Sequence, residues 1–124
     1  MPSRNYKMFA RAIATRTPVA CRYDGFVREV CPIILGHSDG REKALVWQFG
    51  GETSGGPLRG AEWKCFDLSK VEGAAEAAGA WQAGISHQQA QSCVKQVDYD
   101  ANPASPYSPT RSLGDLRSDT LDRS

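Results

Sequence analysis

The chain has 124 residues, one domain's worth on the usual range of roughly 100–200 residues per domain, which excludes a two-domain enzyme within this stretch. Its 40% hydrophobic content includes fifteen alanines, several crowded between Ala74 and Ala83, so strongly core-forming side chains are scarce. Fifteen Lys+Arg against fourteen Asp+Glu leave a net charge of +1, which excludes the strongly basic balance of a dedicated duplex-DNA binder.

Asn5 to Arg16 reads as a helix, because Tyr6, Phe9, Ala10, Ile13 and Ala14 recur at helical spacing and make one apolar face. Ser3 or Asn5 can cap its start, and Pro18 disfavours helical backbone at Thr17, so the helix should stop near Arg16 or Thr17. Val19–Tyr23, Asp24-Gly25 and Phe26–Val30 then form the strongest hairpin signal in the chain, since Asp-Gly supplies the positive φ angles of a type I′ turn. A two-residue loop pairs Tyr23 with Phe26, Cys21 with Arg28 and Val19 with Val30 on one face. That face is apolar except for Arg28, and an unpaired buried charge is costly. Arg28 therefore either holds an anion, or reaches the sheet rim, or pairs with a local acid such as Glu42 or Glu62.

Pro32–Leu35 extends the second strand, Gly36–Gly40 reads as a polar turn, and a third strand is expected from Glu42 to Phe49. Its alternation places Leu45, Trp47 and Phe49 towards the core and Gln48 outward. Gly50–Gly60 holds five glycines in eleven residues and reads as an irregular hairpin loop. It lacks the Gly-Lys-Ser/Thr and following helix of a phosphate-cradling loop. Glu62–Leu68 is a fourth strand with Lys64, Phe66 and Leu68 on one side and Trp63, Cys65 and Asp67 on the other. Ser69–Val71 makes a short turn and Glu72–Ala78 a short fifth strand. Beyond Trp81 the signal weakens, although Cys93-Val94, Val97 and Tyr99 can make an edge strand. Asp98-Tyr-Asp100-Ala-Asn102 begins like a calcium loop, but Pro103 and Pro109 stand where glycine and glutamate are required. Residues 103–124 have no apolar periodicity and read as a disordered or surface-draped tail.

No window approaches roughly 18 consecutive apolar residues, and the start lacks an apolar secretory core. A cytoplasmic protein without membrane contact is expected. Cys21, Cys31, Cys65 and Cys93 show no paired spacing, and His37 and His87 stand far from them, so no metal site or cofactor is expected. Buried free thiols are the favoured reading over a disulfide framework. The charge is uneven: +4 over residues 1–30, zero over 31–70, −3 over 71–102 and zero over 103–124. The basic N-terminal third either draws an anion or is a solvated helix face.

The run Ala12-Ile-Ala14-Thr-Arg16, Val19, Tyr23, Arg28-Glu-Val30-Cys-Pro32 resembles the opening of the WYL domain family. Lys64-Cys-Phe66-Asp-Leu68-Ser-Lys70-Val71 resembles that family's closing motif, so the similarity spans Asn5 to Gly73. The signature tripeptide is degenerate, Lys43-Ala44-Leu45 standing in its place. The segment Trp47–Gly51, Ser54-Gly55 and Trp63-Lys64 looks like short stand-alone bacterial members without a helix-turn-helix. The resemblance implies a mainly β fold with an N-terminal α-helix (1–17), a small SH3-like or Sm-like β-barrel (18–80), an extension (81–102) and the tail.

It also implies a non-enzymatic regulatory sensor that binds a nucleotide or single-stranded nucleic acid on a basic barrel face. Carried over, that face uses Arg28, Lys64 and Lys70, with Lys43 as a substitute cation, bordered by Arg22, Tyr23, Gln48 and Trp63. Cations meeting phosphates and rings stacking on bases supply the physical logic. The competing reading is a protein-interaction module that docks a peptide, a second copy of the chain or its own tail. Pro103, Pro106 and Pro109 match the three-residue period of a polyproline helix beside Tyr107. No Ser/His/Asp order stands out, so an enzyme is not expected.

Overall fold

Ser3 starts the helix by accepting the backbone N–H of Tyr6 at 3.1 Å through its hydroxyl, which satisfies one of the first-turn donors that a helix leaves unpaired. Helix α1 runs Arg4–Thr15 and ends where Arg16 turns left-handed at φ 53°, so the expected stop is met. Its apolar stripe, Tyr6, Phe9, Ala10, Ile13 and Ala14, is buried. Asn5 is not the cap: its amide donates to the carbonyls of Leu68 at 2.9 Å and Val71 at 2.8 Å. The computed structural model describes residues 3–53, 56–57, 60–77, 79–81 and 93–101.

Strand β1 (Val19–Tyr23) and strand β2 (Phe26–Ser38) meet at Asp24-Gly25, with φ of 53° and 82°. The pairs Val19–Val30, Cys21–Arg28 and Tyr23–Phe26 are those the turn demands. The next turn differs from expectation. Only Asp39-Gly40 turns, with φ of 54° and 81°, while Gly36, His37 and Ser38 stay in β2 opposite Lys43, Glu42 and Arg41. Strand β3 (Arg41–Thr53) likewise runs on through Gly50 and Gly51, which pair with Glu29 and Arg28. Glycine is required at position 51, since a Cβ there would lie 2.2 Å from the Val27 carbonyl oxygen. The short strand β4 (Gly56–Pro57) folds back on Glu52 and Thr53. The remaining Gly-rich loop residues, 54–55 and 58–59, lie outside the described residues, as do His87 and the tail at 103–124.

Strand β5 (Glu62–Asp67) pairs with β3, a 3₁₀ turn (Leu68–Lys70) follows, and strand β6 (Val71–Glu76) pairs with β1. Strand β7 (Gln96–Asp100) pairs with the second half of β2. The result is mainly β with one N-terminal helix among the described residues and an open antiparallel sheet, ordered β4-β3-β2-β1-β6, with β5 also on β3 and β7 also on β2. Because β2 is 13 residues long, it carries β1 and β7 one after the other along the same edge.

The inward face of β3 is the reverse of the expected one. Ala44, Val46 and Gln48 are buried, while Leu45, Trp47 and Phe49 are half-buried. The pairing of β2 with β3 shifts between Glu29 and Val30 and again between Pro32 and Ile34. Beside the first shift the Gln48 amide serves two main-chain carbonyls of β3, donating to Gly50 at 3.0 Å and Glu52 at 3.1 Å. A fully enclosed glutamine is tolerable once its hydrogen bonds are made. The thiol expectation holds for Cys21 and Cys31, which are buried and outside any disulfide. It fails for Cys65 and Cys93, which form a disulfide, because the turn before β7 returns the chain to the outer face of β5, a long-range approach that sequence spacing does not encode.

Candidate functional site

Three of the expected residues come together at one end of the sheet. Arg28 is 4% exposed, and its guanidinium carbon stands 5.3 Å from the Tyr23 ring centre, 5.9 Å from Phe26 and 5.8 Å from Phe66. Its Nε donates to the Tyr23 carbonyl and its Nη1 to Gln48 Oε1, each at 3.3 Å. Tyr23 is fixed in turn: its ring stacks on Phe66 at 4.1 Å, and its hydroxyl accepts the Asp67 N–H at 3.0 Å. The two acids that Arg28 can be imagined to recruit are used elsewhere. Glu42 accepts from Ser3 and Glu62 pairs with Lys64 at 2.9 Å.

No carboxylate reaches Arg28 among the described residues, so its partners are neutral acceptors and aromatic faces. Aromatic faces return about 0.5–2 kcal/mol for such a cation, less than the several kcal/mol that removing it from water costs. Opposite Arg28 in the β1–β2 ladder, the Cys21 thiol is pushed up to about 11 by burial, with Arg28 pulling the other way.

The other carried-over residues spread out. Lys64 pairs with Val46 in the β3–β5 ladder and shares the Gln48 face, since cross-strand partners lie on one side of a sheet. Lys43 and Trp63 lie on the opposite face, Trp63 edge-on to Trp47 at 5.0 Å. Arg22 is exposed on β1, one residue out of phase with Tyr23, and Lys70 is exposed at the end of the 3₁₀ turn. The basic face therefore contracts to Arg28 and Lys64.

Two clusters escaped the sequence reading. Asp67 is buried, accepts the Ser69 hydroxyl at 2.7 Å and the Ser69 N–H at 3.0 Å, and faces Arg41 at 3.3 Å and Lys43 at 3.6 Å. The Ser69 hydroxyl above all, then its N–H and the two cations, hold the carboxyl down at about 2 against the burial that would raise it. Beside it, Ser38, Asp39, Arg41, Lys43, Cys65, Cys93 and Lys95 line an open cleft of about 500 Å³. At the far end of β2, Asp98 accepts the Tyr6 hydroxyl at 2.6 Å and lies 3.1 Å from His37 Nδ1. That gives His37 an acidic neighbour from the far end of the described chain rather than from its own turn.

Comparison with known proteins finds no match. No family model fits the chain, and no curated protein or solved structure is similar to it. Among the described residues no group of three or more His, Cys, Asp or Glu side chains is placed to hold a metal ion, and no helix is long and apolar enough to cross a membrane.

Proposed function

We propose that this chain is a non-enzymatic regulatory module of the WYL-like kind that binds a nucleotide or single-stranded nucleic acid at the Arg28 end of its sheet. The observation that carries the reading is a buried guanidinium with no carboxylate partner among the described residues. A phosphate there supplies the missing counter-charge in a charge-assisted, forked hydrogen bond. Phe26 is half-buried beside it and gives a base a ring to stack on. Lys64, paired with Glu62 at 2.9 Å, puts a second cation on the same face. A small-barrel architecture is supported by connectivity: β5, which pairs with β3, is joined by the 3₁₀ turn to β6, which pairs with β1 at the far end of the strand order. Cytoplasmic residence belongs to the same proposal.

Fluorescence anisotropy of a dye-labelled short single-stranded oligonucleotide, and separately of a dye-labelled nucleoside triphosphate, tests it at two salt concentrations. Binding at low salt should weaken on adding salt with a logarithmic slope of about −1.4, the value for roughly two phosphate contacts. Lys64→Gln should halve that slope while leaving the melting temperature in place. No signal at low salt overturns the proposal.

A second reading is supported by the outer face of β3 and β5, where Leu45, Trp47, Phe49 and Trp63 are only half-buried. Such a strip suits a proline-rich segment, and residues Pro103 to Pro109 are one within the same chain. A truncation after Asn102 that leaves melting temperature and oligomeric state unchanged argues against that docking.

A further inference from the structure

We propose that the Cys65–Cys93 disulfide is an exchange site for small carboxylate-bearing thiols, independent of ligand binding at Arg28. The bond is placed for attack. Cys65 is exposed on the outer face of β5 and Cys93 is half-buried, and both line the open cleft of about 500 Å³ with Arg41, Lys43 and Lys95. The cleft is positive on balance among the described residues, where Arg41, Lys43 and Lys95 line it against Asp39 and Asp67, behind it, is shared by Arg41 and Lys43. Arg41 is paired with Asp67 and Lys95 Nζ lies 3.1 Å from Asp39 Oδ2, yet the two keep 70% and 63% of their side-chain surface exposed, so each can also face a second carboxylate.

Cations beside a sulfur favour its thiolate and so improve it as a leaving group. An incoming thiolate forms a new S–S bond to Cys65 Sγ. The Cys65–Cys93 bond breaks, its electron pair leaves on Cys93 Sγ, and that sulfur takes a proton from water. Cys93 Sγ lies 3.4 Å from the Ala44 carbonyl oxygen, an acceptor ready for the new S–H. A second thiol then attacks the mixed disulfide, releases Cys65 as a thiol and leaves as the symmetrical disulfide. One protein disulfide is reduced and two thiols are oxidised. The segment has a second anchor besides the bond, since Ser38 Oγ donates to the Cys93 carbonyl at 2.7 Å and accepts the Lys95 N–H at 2.9 Å.

The experiment incubates the full-length, air-oxidised chain with reduced glutathione, quenches with acid at intervals, alkylates and reads the intact mass and peptide map. A glutathione adduct on Cys65 should precede full reduction of the pair, with Cys21 and Cys31 unlabelled and circular dichroism unchanged. Lys95→Gln should slow glutathione exchange severalfold and leave exchange with the cationic thiol cysteamine unchanged or faster. The proposal is overturned if native air-oxidised protein carries both cysteines as thiols, if glutathione reacts only after denaturation, or if Lys95→Gln slows both thiols equally.

Discussion

Gln48 decides more than its neighbours of greater size. Enclosed completely, it serves two main-chain carbonyls of β3 with its N–H₂ and Arg28 with its oxygen. Gln48→Leu keeps the volume but strands all three groups, so it should cost roughly 2–3 kcal/mol, read as a lower urea midpoint at an unchanged slope. The residue was misread because alternation counts hydrophobicity alone, and a polar side chain inside a bulge is invisible to that count. Arg28, by contrast, was legible, because an Asp-Gly turn fixes the register of every residue behind it. Asp67 carries a pH signature. Its carboxyl protonates near 3.8 when unfolded and about 2 when folded, so its contribution is complete above about pH 4 and disappears as pH falls towards 2. Ser69→Ala removes the largest cause of that depression. It should destabilise by about 1 kcal/mol near neutrality, and the gap between variant and parent should close as denaturation is repeated at progressively lower pH down to about 2.

At the scale of elements, the helix and first hairpin stood out because each is specified locally, by a capped apolar stripe and by a two-residue turn. Asp39-Gly40 carries the same signature as Asp24-Gly25 and adopts nearly the same φ angles. Applying the Asp-Gly rule a second time would have moved Gly36 to Ser38 into β2. What no local rule supplies is the reason for Gly36, which is β7: a Cβ there would lie 1.9 Å from the Gln96 carbonyl oxygen and 2.8 Å from a Val94 methyl. Gly36→Ala should therefore push β7 off the edge of β2 and lower stability by about 2 kcal/mol or more. Hydrogen exchange separates this from general loosening, since amides of residues 96–100 should lose protection before those of β1 and β6.

The whole molecule is organised by β2, which no composition argument singles out. Its first half holds β1 and its second half holds β7, with β3 along the other edge throughout. The +4 charge of the first thirty residues does not become one basic face, because Arg22 and Arg28 point to opposite sides of a ribbon and Arg11 pairs with Glu76 at 3.4 Å. That is why the candidate site was only half legible: charge is additive along a chain, whereas a face depends on strand parity. The same organisation bears on where a folding unit ends. A barrel confined to residues 18–80 would leave out β7, yet Val94, Val97, Tyr99 and Ala101 are buried in the common core, and Tyr6 of α1 bonds Asp98. Leu35 and Ile34 at the centre of β2 pair with Tyr99 and Asp100 and are fully enclosed. A chain cut after Gly79 uncovers that strand's apolar edge, and a domain of this size has a margin of only about 5–15 kcal/mol to lose. It should show no cooperative melting transition and should bind a hydrophobic dye strongly. A sharp melt for that fragment would mean that residues 1–79 are self-sufficient and that β7 is an accessory strand.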